Sequence, residues 1–312
     1  MTKDVYAAIN SDALYNKSKV YIGRALTRKA NNELDEYQLW ASLALELLGK
    51  AALAQKHPSL IVDPNHWKSL FVAAGINITT DVKTITASTL FERLSHCIQR
   101  FDSRLKEFCE GISARRNAEL HSAELPFRAM RLDAWETRYW HACDTILQHL
   151  ESTLDDWLGA ADAKAPRQLL VEASNALEAA VKHRIEAAKR QFEERKKPEK
   201  ERLIAEANLL HPVAQAALFR KEFDGIWDVV CPACAGKAFM AGEQTREDIT
   251  EDRDDSAIWE IVEREFVGEQ FICPICELAF KGTDELVVSN LEYIHSDEQT
   301  REIEYEPDYG ND

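Results

Sequence analysis

The chain has 312 residues, 45% of them hydrophobic and 29% charged, and carries a formal net charge of −16 at pH 7. That length accommodates two or three domains, each with its own core. No run of 18 apolar residues occurs, which argues against a membrane span. The start "MTKDVYAAIN" lacks the charged, apolar and small-residue regions of a secretory signal, so the expectation is a cytoplasmic protein whose seven cysteines do not form a disulfide framework.

The charge divides unevenly. From Glu222 to Asp312 there are 25 acidic and 6 basic residues, a net of −19, which leaves +3 for residues 1–221. On this ground a polyanion is expected to bind the first part and to be repelled by the last.

Residues 1–160 read as helices. Between Tyr37 and Gln55, Trp40, Leu43, Leu47, Ala51 and Ala54 recur at helical spacing. The helix should end before "HPSLIVDP", whose prolines interrupt the pattern. Shorter helices are predicted over 65–75, 87–99 and 101–124, followed by a long one over 132–158. That last helix has a stripe of Trp135, Tyr139, Ala142, Ile146, Leu150, Leu154 and Trp157. No convincing two-residue alternation appears, so an all-helical bundle is the economical reading. Cys97, Cys109 and Cys143 fall on these helices as small core residues.

Residues 161–221 read as a helical connector. Leu170, Ala173, Leu177, Val181, Ile185, Ala188 and Phe192 form a stripe opposite a Lys- and Arg-rich face, and Pro198 suits the start of a second helix. Residues 222–295 change character. "FICPICELAF" and "ELVVSNLEYI" read as strands around turns, a small β-rich module. Residues 296–312 are polar and acidic and read as a loosely held tail. The fold class expected is therefore mainly α, with a β-rich appendix.

Two knuckles, Cys231-Pro-Ala-Cys234 and Cys273-Pro-Ile-Cys276, supply four thiolates in the pattern of a tetrahedral zinc site. Four cysteine ligands leave no open position for water or substrate, so the zinc is expected to be structural. Residues 226–295 are similar to zinc ribbons, although about 38 residues separate the knuckles, including the acidic stretch "EDITEDRDDSAIWE". A module this acidic is a poor phosphate binder and is expected to meet a protein partner or cover a basic surface.

The run "GISARRNAELHSAEL" places Arg116, Asn117 and His121 within six residues. On a helix Asn117 and His121 share a face, while Arg116 lies about 140° round the axis from His121. Arg115 and Glu119, four apart, read as an ordinary surface pair. Attack of a ribose 2′-hydroxyl on its own phosphodiester needs proton transfers, which suit a histidine, and charge stabilisation, which suits an arginine fork. Since one histidine cannot easily be both base and acid, two copies of the motif meeting in a dimer fit the chemistry. The remaining histidines lack a catalytic partner in sequence, and no P-loop, GxGxxG, GxSxG or HExxH motif occurs.

"RNAELH" resembles the Arg-polar-x(3–5)-His motif of the HEPN family, and "LALELLGKAALAQKHPSLIVDP" looks like a HEPN core helix with its following loop. The resemblance covers residues 1–160 and implies a helical bundle that homodimerises around a composite cleft. It further implies a metal-independent endoribonuclease of anti-phage or toxin–antitoxin defence. Carried over, Arg116 stabilises the phosphate, Asn117 is the adjacent polar residue, His121 is catalytic, and Glu46 matches an acidic residue on an earlier helix. RNA is then the substrate, with a protein partner or antitoxin at the acidic C-terminal module. Two rival readings remain: a non-catalytic dimer that presents the acidic ribbon to a protein, and a regulator that binds a nucleotide.

Overall fold

A computed structural model describes residues 6–219, 221–249 and 259–302. The chain divides into two compact units, Met1–Ala176 and Leu177–Asp312. It is mainly helical, with one antiparallel sheet. Among the described residues no helix is long and apolar enough to cross a membrane.

The first unit is built on α1 (Ser11–Ala30), α2 (Leu34–Lys56), α3 (Trp67–Ala73), α4 (Ala87–Cys97), α5 (Ser103–His121), α6 (Leu132–His149) and α7 (Leu154–Leu158). Its centre is α2, which packs against α1, α4, α5 and α6. Tyr37, Ala41, Ala44, Leu45, Leu48, Ala51 and Ala52 of α2 are fully buried. The predicted stripe is thus displaced. Trp40, Leu43 and Leu47 are only half-buried, because a helix surrounded by neighbours buries small residues where the others approach most closely. Gly49 shows the constraint: a Cβ there would lie 3.0 Å from Leu94 Cδ1.

Side-chain caps set where these helices begin. Asp102 accepts from Leu105 N at the start of α5, and Thr86 does the same for α4 through Thr89 N. The single long helix predicted over 132–158 is two helices. The chain breaks after His149, Glu151 adopts a left-handed φ of 54°, and Thr153 with Asp156 forms a capping box that starts α7. The stripe nevertheless reaches the core from both pieces, with Trp135, Tyr139, Ile146, Leu154 and Trp157 all buried.

The expected connector divides between the units. Helix α8 (Lys164–Glu194) packs Leu169 and Leu170 on the first core, and Leu177, Val181, Ile185, Ala188 and Phe192 on the second. Helix α9 (Lys197–Leu209), with Pro198 in its first turn, adds Leu203, Ile204 and Ala207 to that second core. The basic surplus read over residues 1–221 follows the same division. Residues 1–176 hold 22 acidic and 21 basic residues, whereas 177–221 hold 7 and 11.

In the second unit β1 (Gly225–Val230), β2 (Lys237–Ile249), β3 (Trp259–Ile272) and β4 (Ala279–Lys281) form an antiparallel path in sequence order, and β5 (Ile294–Glu302) pairs with the N-terminal part of β3. Three expectations change here. Most of the spacer between the knuckles is the long β2–β3 hairpin; residues 250–258 of its acidic stretch lie outside the described residues. The run "ELVVSN" is not a strand but the end of a short helix, α10 (Thr283–Val288), and the turn after it. Residues 296–302, read as loose tail, continue β5, where Arg264–Asp297 and Arg301–Glu260 pair across the strands. The rest of that tail lies outside the described residues.

Between β2 and β3 the register shifts at Ala241/Gly242, and Gly242 faces Gly268. A Cβ at Gly242 would sit 2.1 Å from the Val267 carbonyl oxygen, a backbone atom that cannot rotate away. Gly242→Ala should therefore separate the strands and cost the second unit about 1–3 kcal/mol. In hydrogen exchange read by mass spectrometry, β2 and β3 amides should lose protection while those of α2 keep theirs.

Candidate functional site

The residues of the Arg-polar-His motif occupy the last two turns of α5. Arg116 faces inward and is 8% exposed, whereas Asn117 and His121 lie on the exposed face. The Arg116 guanidinium reaches α2, where Nη1 pairs with Glu46 Oε2. Its Nε and Nη2 donate to Asn117 Oδ1 at 3.2 and 2.9 Å. The arginine head therefore does wrap round toward the Asn117–His121 face, held there by the neighbouring amide. His121, the last residue of the helix, makes no hydrogen bond or ion pair with any of the three. Arg115 and Glu119 do not pair either; Glu119 accepts instead from the backbone N–H of Phe127 at 3.5 Å.

Glu46 has a second cation. Lys50, one turn along α2, donates to Glu46 Oε1 at 2.8 Å and to Thr84 Oγ1 at 3.1 Å. Both were missed in the sequence, although the i, i+4 spacing of Glu46 and Lys50 is legible there. Burial alone would raise the Glu46 carboxyl; the Lys50 and Arg116 pairs outweigh it and hold the group below its ordinary value. Glu46, Lys50 and Arg116 are all largely shielded from water, and together they carry a formal charge of +1. A shielded surplus charge is costly without a counter-ion, so the cluster suits an anion arriving from the Asn117–His121 side.

In the second unit the two knuckles adopt the same turn. Cys231 N donates to Gly236 O and Ala235 N to Cys231 O; Cys273 N donates to Leu278 O and Glu277 N to Cys273 O. Ala235 and Glu277, which each follow the second cysteine of a knuckle, take the left-handed φ values of 55° and 63°. One knuckle closes the β1–β2 hairpin and the other closes β3–β4, so strand pairing brings the turns together. Cys231 and Cys276 Sγ lie 3.5 Å apart, Cys234 and Cys273 Sγ 3.6 Å, and all four within 4.8 Å of one another. Bonds of about 2.3 Å in a tetrahedral site place sulfurs about 3.8 Å apart, so the four thiols can hold a metal ion.

The other cysteines and two of the histidines have structural surroundings. Cys109 and Cys143 are fully buried and Cys97 half-buried, and burial pushes all three thiols up. His57 caps the turn after α2 through Ser59 N, and His295 stacks on Trp227 with centroids 5.0 Å apart.

No family model matches the chain, and no curated protein or solved structure matches it.

The ion cluster sets an acid dependence. A carboxyl with a folded-state value below its unfolded one, about 4.3 for glutamate, contributes stability that is present above that unfolded value and lost as pH falls through the folded one. Glu46→Gln should remove this part of the acid sensitivity. At pH 7 it should cost about 3 kcal/mol, because two shielded cations then face a neutral amide. Denaturant unfolding at neutral and acid pH measures both effects.

Proposed function

We propose that the chain is a metal-independent endoribonuclease of the HEPN type, with Arg116, Asn117 and His121 as its working residues and a zinc ribbon at its C-terminal end. The observation that carries this reading is the +1 cluster of Glu46, Lys50 and Arg116, whose guanidinium is bound by Asn117 on the face that bears the exposed His121, a side chain with no hydrogen-bond partner among the described residues. A phosphodiester entering there completes the charge balance and exchanges the Asn117 carbonyl for a phosphate oxygen on the guanidinium. His121 then takes the 2′-hydroxyl proton, the oxygen attacks phosphorus, and the 5′-oxygen leaves with a proton. The His121 of a second copy supplies that proton, since each chain brings one histidine to the cleft. The protein works as a homodimer, in the cytoplasm, with a role in anti-phage or toxin-type defence by family analogy.

The products are RNA ends with a 2′,3′-cyclic phosphate and a 5′-hydroxyl. His121→Ala should lower cleavage by at least about 100-fold and leave thermal stability unchanged, since the side chain is exposed and unengaged. Cleavage undiminished in that variant would sink the assignment. Addition of EDTA under conditions that leave the ribbon folded should not slow the reaction.

A non-catalytic reading has its own observation: a shielded Arg116–Glu46 pair between α2 and α5 also serves as a plain structural link. In that case the purified protein leaves total RNA intact, and the acidic ribbon captures a protein partner.

The ion in the four-cysteine site is zinc on the chemistry of its donors: all four are soft thiolates within 4.8 Å of one another, and four such ligands leave no position for a reacting one. Its role is structural. Elemental analysis should find one zinc per chain, and Cys231→Ser with Cys273→Ser should abolish binding and unfold the second unit, read as loss of hydrogen-exchange protection in β1–β4.

A further inference from the structure

Helix α3 and the turn after it turn a row of large apolar side chains outward. Ser69, Val72 and Ala73 face the core, while Trp67 is 57% exposed, Phe71 43% and Ile76 51%, with Leu70 and Ile78 beside them. The Trp67 and Phe71 rings meet edge to face, with centroids 5.7 Å apart and planes at 81°. Exposed apolar residues are ordinary when scattered, but five within twelve positions form a patch that calls for an occupant.

Charge and position identify the occupant. From Leu47 to Lys83 the chain contains two carboxylates, Asp63 and Asp81, against four lysines, and the Asp63 side chain accepts from the Asn65 backbone N–H. Lys68 is exposed, with its ammonium 5.6 Å from the Trp67 ring centre, and Lys83 is exposed nearby. In a chain of net charge −16, such a stretch presents aromatic rings and ammonium groups with little to repel a phosphate. It is also wired to the candidate site. Ser69 Oγ accepts from Lys83 N at 2.9 Å, His66 Nδ1 is 2.7 Å from the same oxygen, and Thr84, the next residue, accepts from Lys50. The Val62–Thr84 bridge holds the base of the loop closed.

We propose that α3 is a stacking platform for unpaired bases of single-stranded RNA, placed next to the Glu46–Lys50–Arg116 cluster. Bases stack on Trp67 and Phe71, phosphates lie near Lys68 and Lys83, and the strand continues to the cluster through the Lys83–Thr84 segment. Every base offers a ring face, so the platform selects unpaired strands rather than a sequence, and a duplex cannot use it. The choice of RNA as ligand rests on the nuclease reading above.

The test uses the full chain carrying His121→Ala, so that RNA is not consumed. Its affinity is measured by fluorescence anisotropy for a short labelled single strand, and for the same strand annealed to its complement. Trp67→Ala and Phe71→Ala should each weaken single-strand binding by about 5- to 150-fold, the range for loss of one stacked base. Duplex affinity should stay unchanged, and Trp67→Tyr should retain most of the binding. Both rings are exposed, and an unaltered unfolding midpoint checks that the variants fold. Single-strand affinity unchanged in both alanine variants overturns the platform, as does an equal loss for duplex or an absence of RNA binding in the parent. A dimer that becomes monomeric in Trp67→Ala with RNA affinity intact overturns it in favour of a protein interface. The two readings fail separately. RNA bound through the rings but left uncut by the protein with His121 intact refutes the nuclease alone; RNA cut with the same kcat/KM by Trp67→Ala refutes the platform alone.

Discussion

The junction between α2 and α5 depends on a carboxylate that holds two cations. Glu46 alone, on a helix packed on nearly every side, would be an expensive group to shield from water. Lys50 from its own helix and Arg116 from α5 make it tolerable, and the pairing ties the helices at a defined register. The constraint runs both ways. Because Arg116 reaches inward to Glu46, Asn117 and His121 are left on the outer face of α5, with Asn117 bound to the guanidinium.

The surroundings of that cluster follow from the same packing. The small residues of α2 let α4 approach closely at Gly49, and the loop between α2 and α4 is pinned by the Val62–Thr84 bridge. Thr84 then meets Lys50, so the loop that presents Trp67 and Phe71 is anchored to the ion cluster. An exposed aromatic pair on a seven-residue helix is not explained by core packing.

In the second unit strand pairing assembles the four-cysteine cluster. Each hairpin ends in a Cys-x-x-Cys turn whose following residue is left-handed, and the β2–β3 ladder brings the two turns together. Helix α8 closes one face of this sheet with Val181 and Ala188 buried, while Arg184 and Arg195 reach the carbonyls of Ala279 and Ile275. From Leu177 onward the segment expected as a connector is therefore part of the second unit's core. Strands β2, β3 and β5 carry ten carboxylates against four basic residues, and Arg264 and Arg301 pair with carboxylates across the strands.

By itself the sequence determined the helical character of the first 160 residues, the two Cys-x-x-Cys knuckles and the motif that carries Arg116, Asn117 and His121. Those signals are local: they rest on spacing within one helix or one turn, and the backbone geometry that turns spacing into position is the same in any protein. Tertiary structure alone decided which face of α2 is buried and that residues 296–302 pair as a strand with β3. It also decided that Lys50 and Thr84 join the site and that His121 stands apart from Arg116. Each of these depends on residues 30 to 90 positions apart meeting, or on which of several neighbours approaches most closely, and no periodicity within a single element encodes that choice.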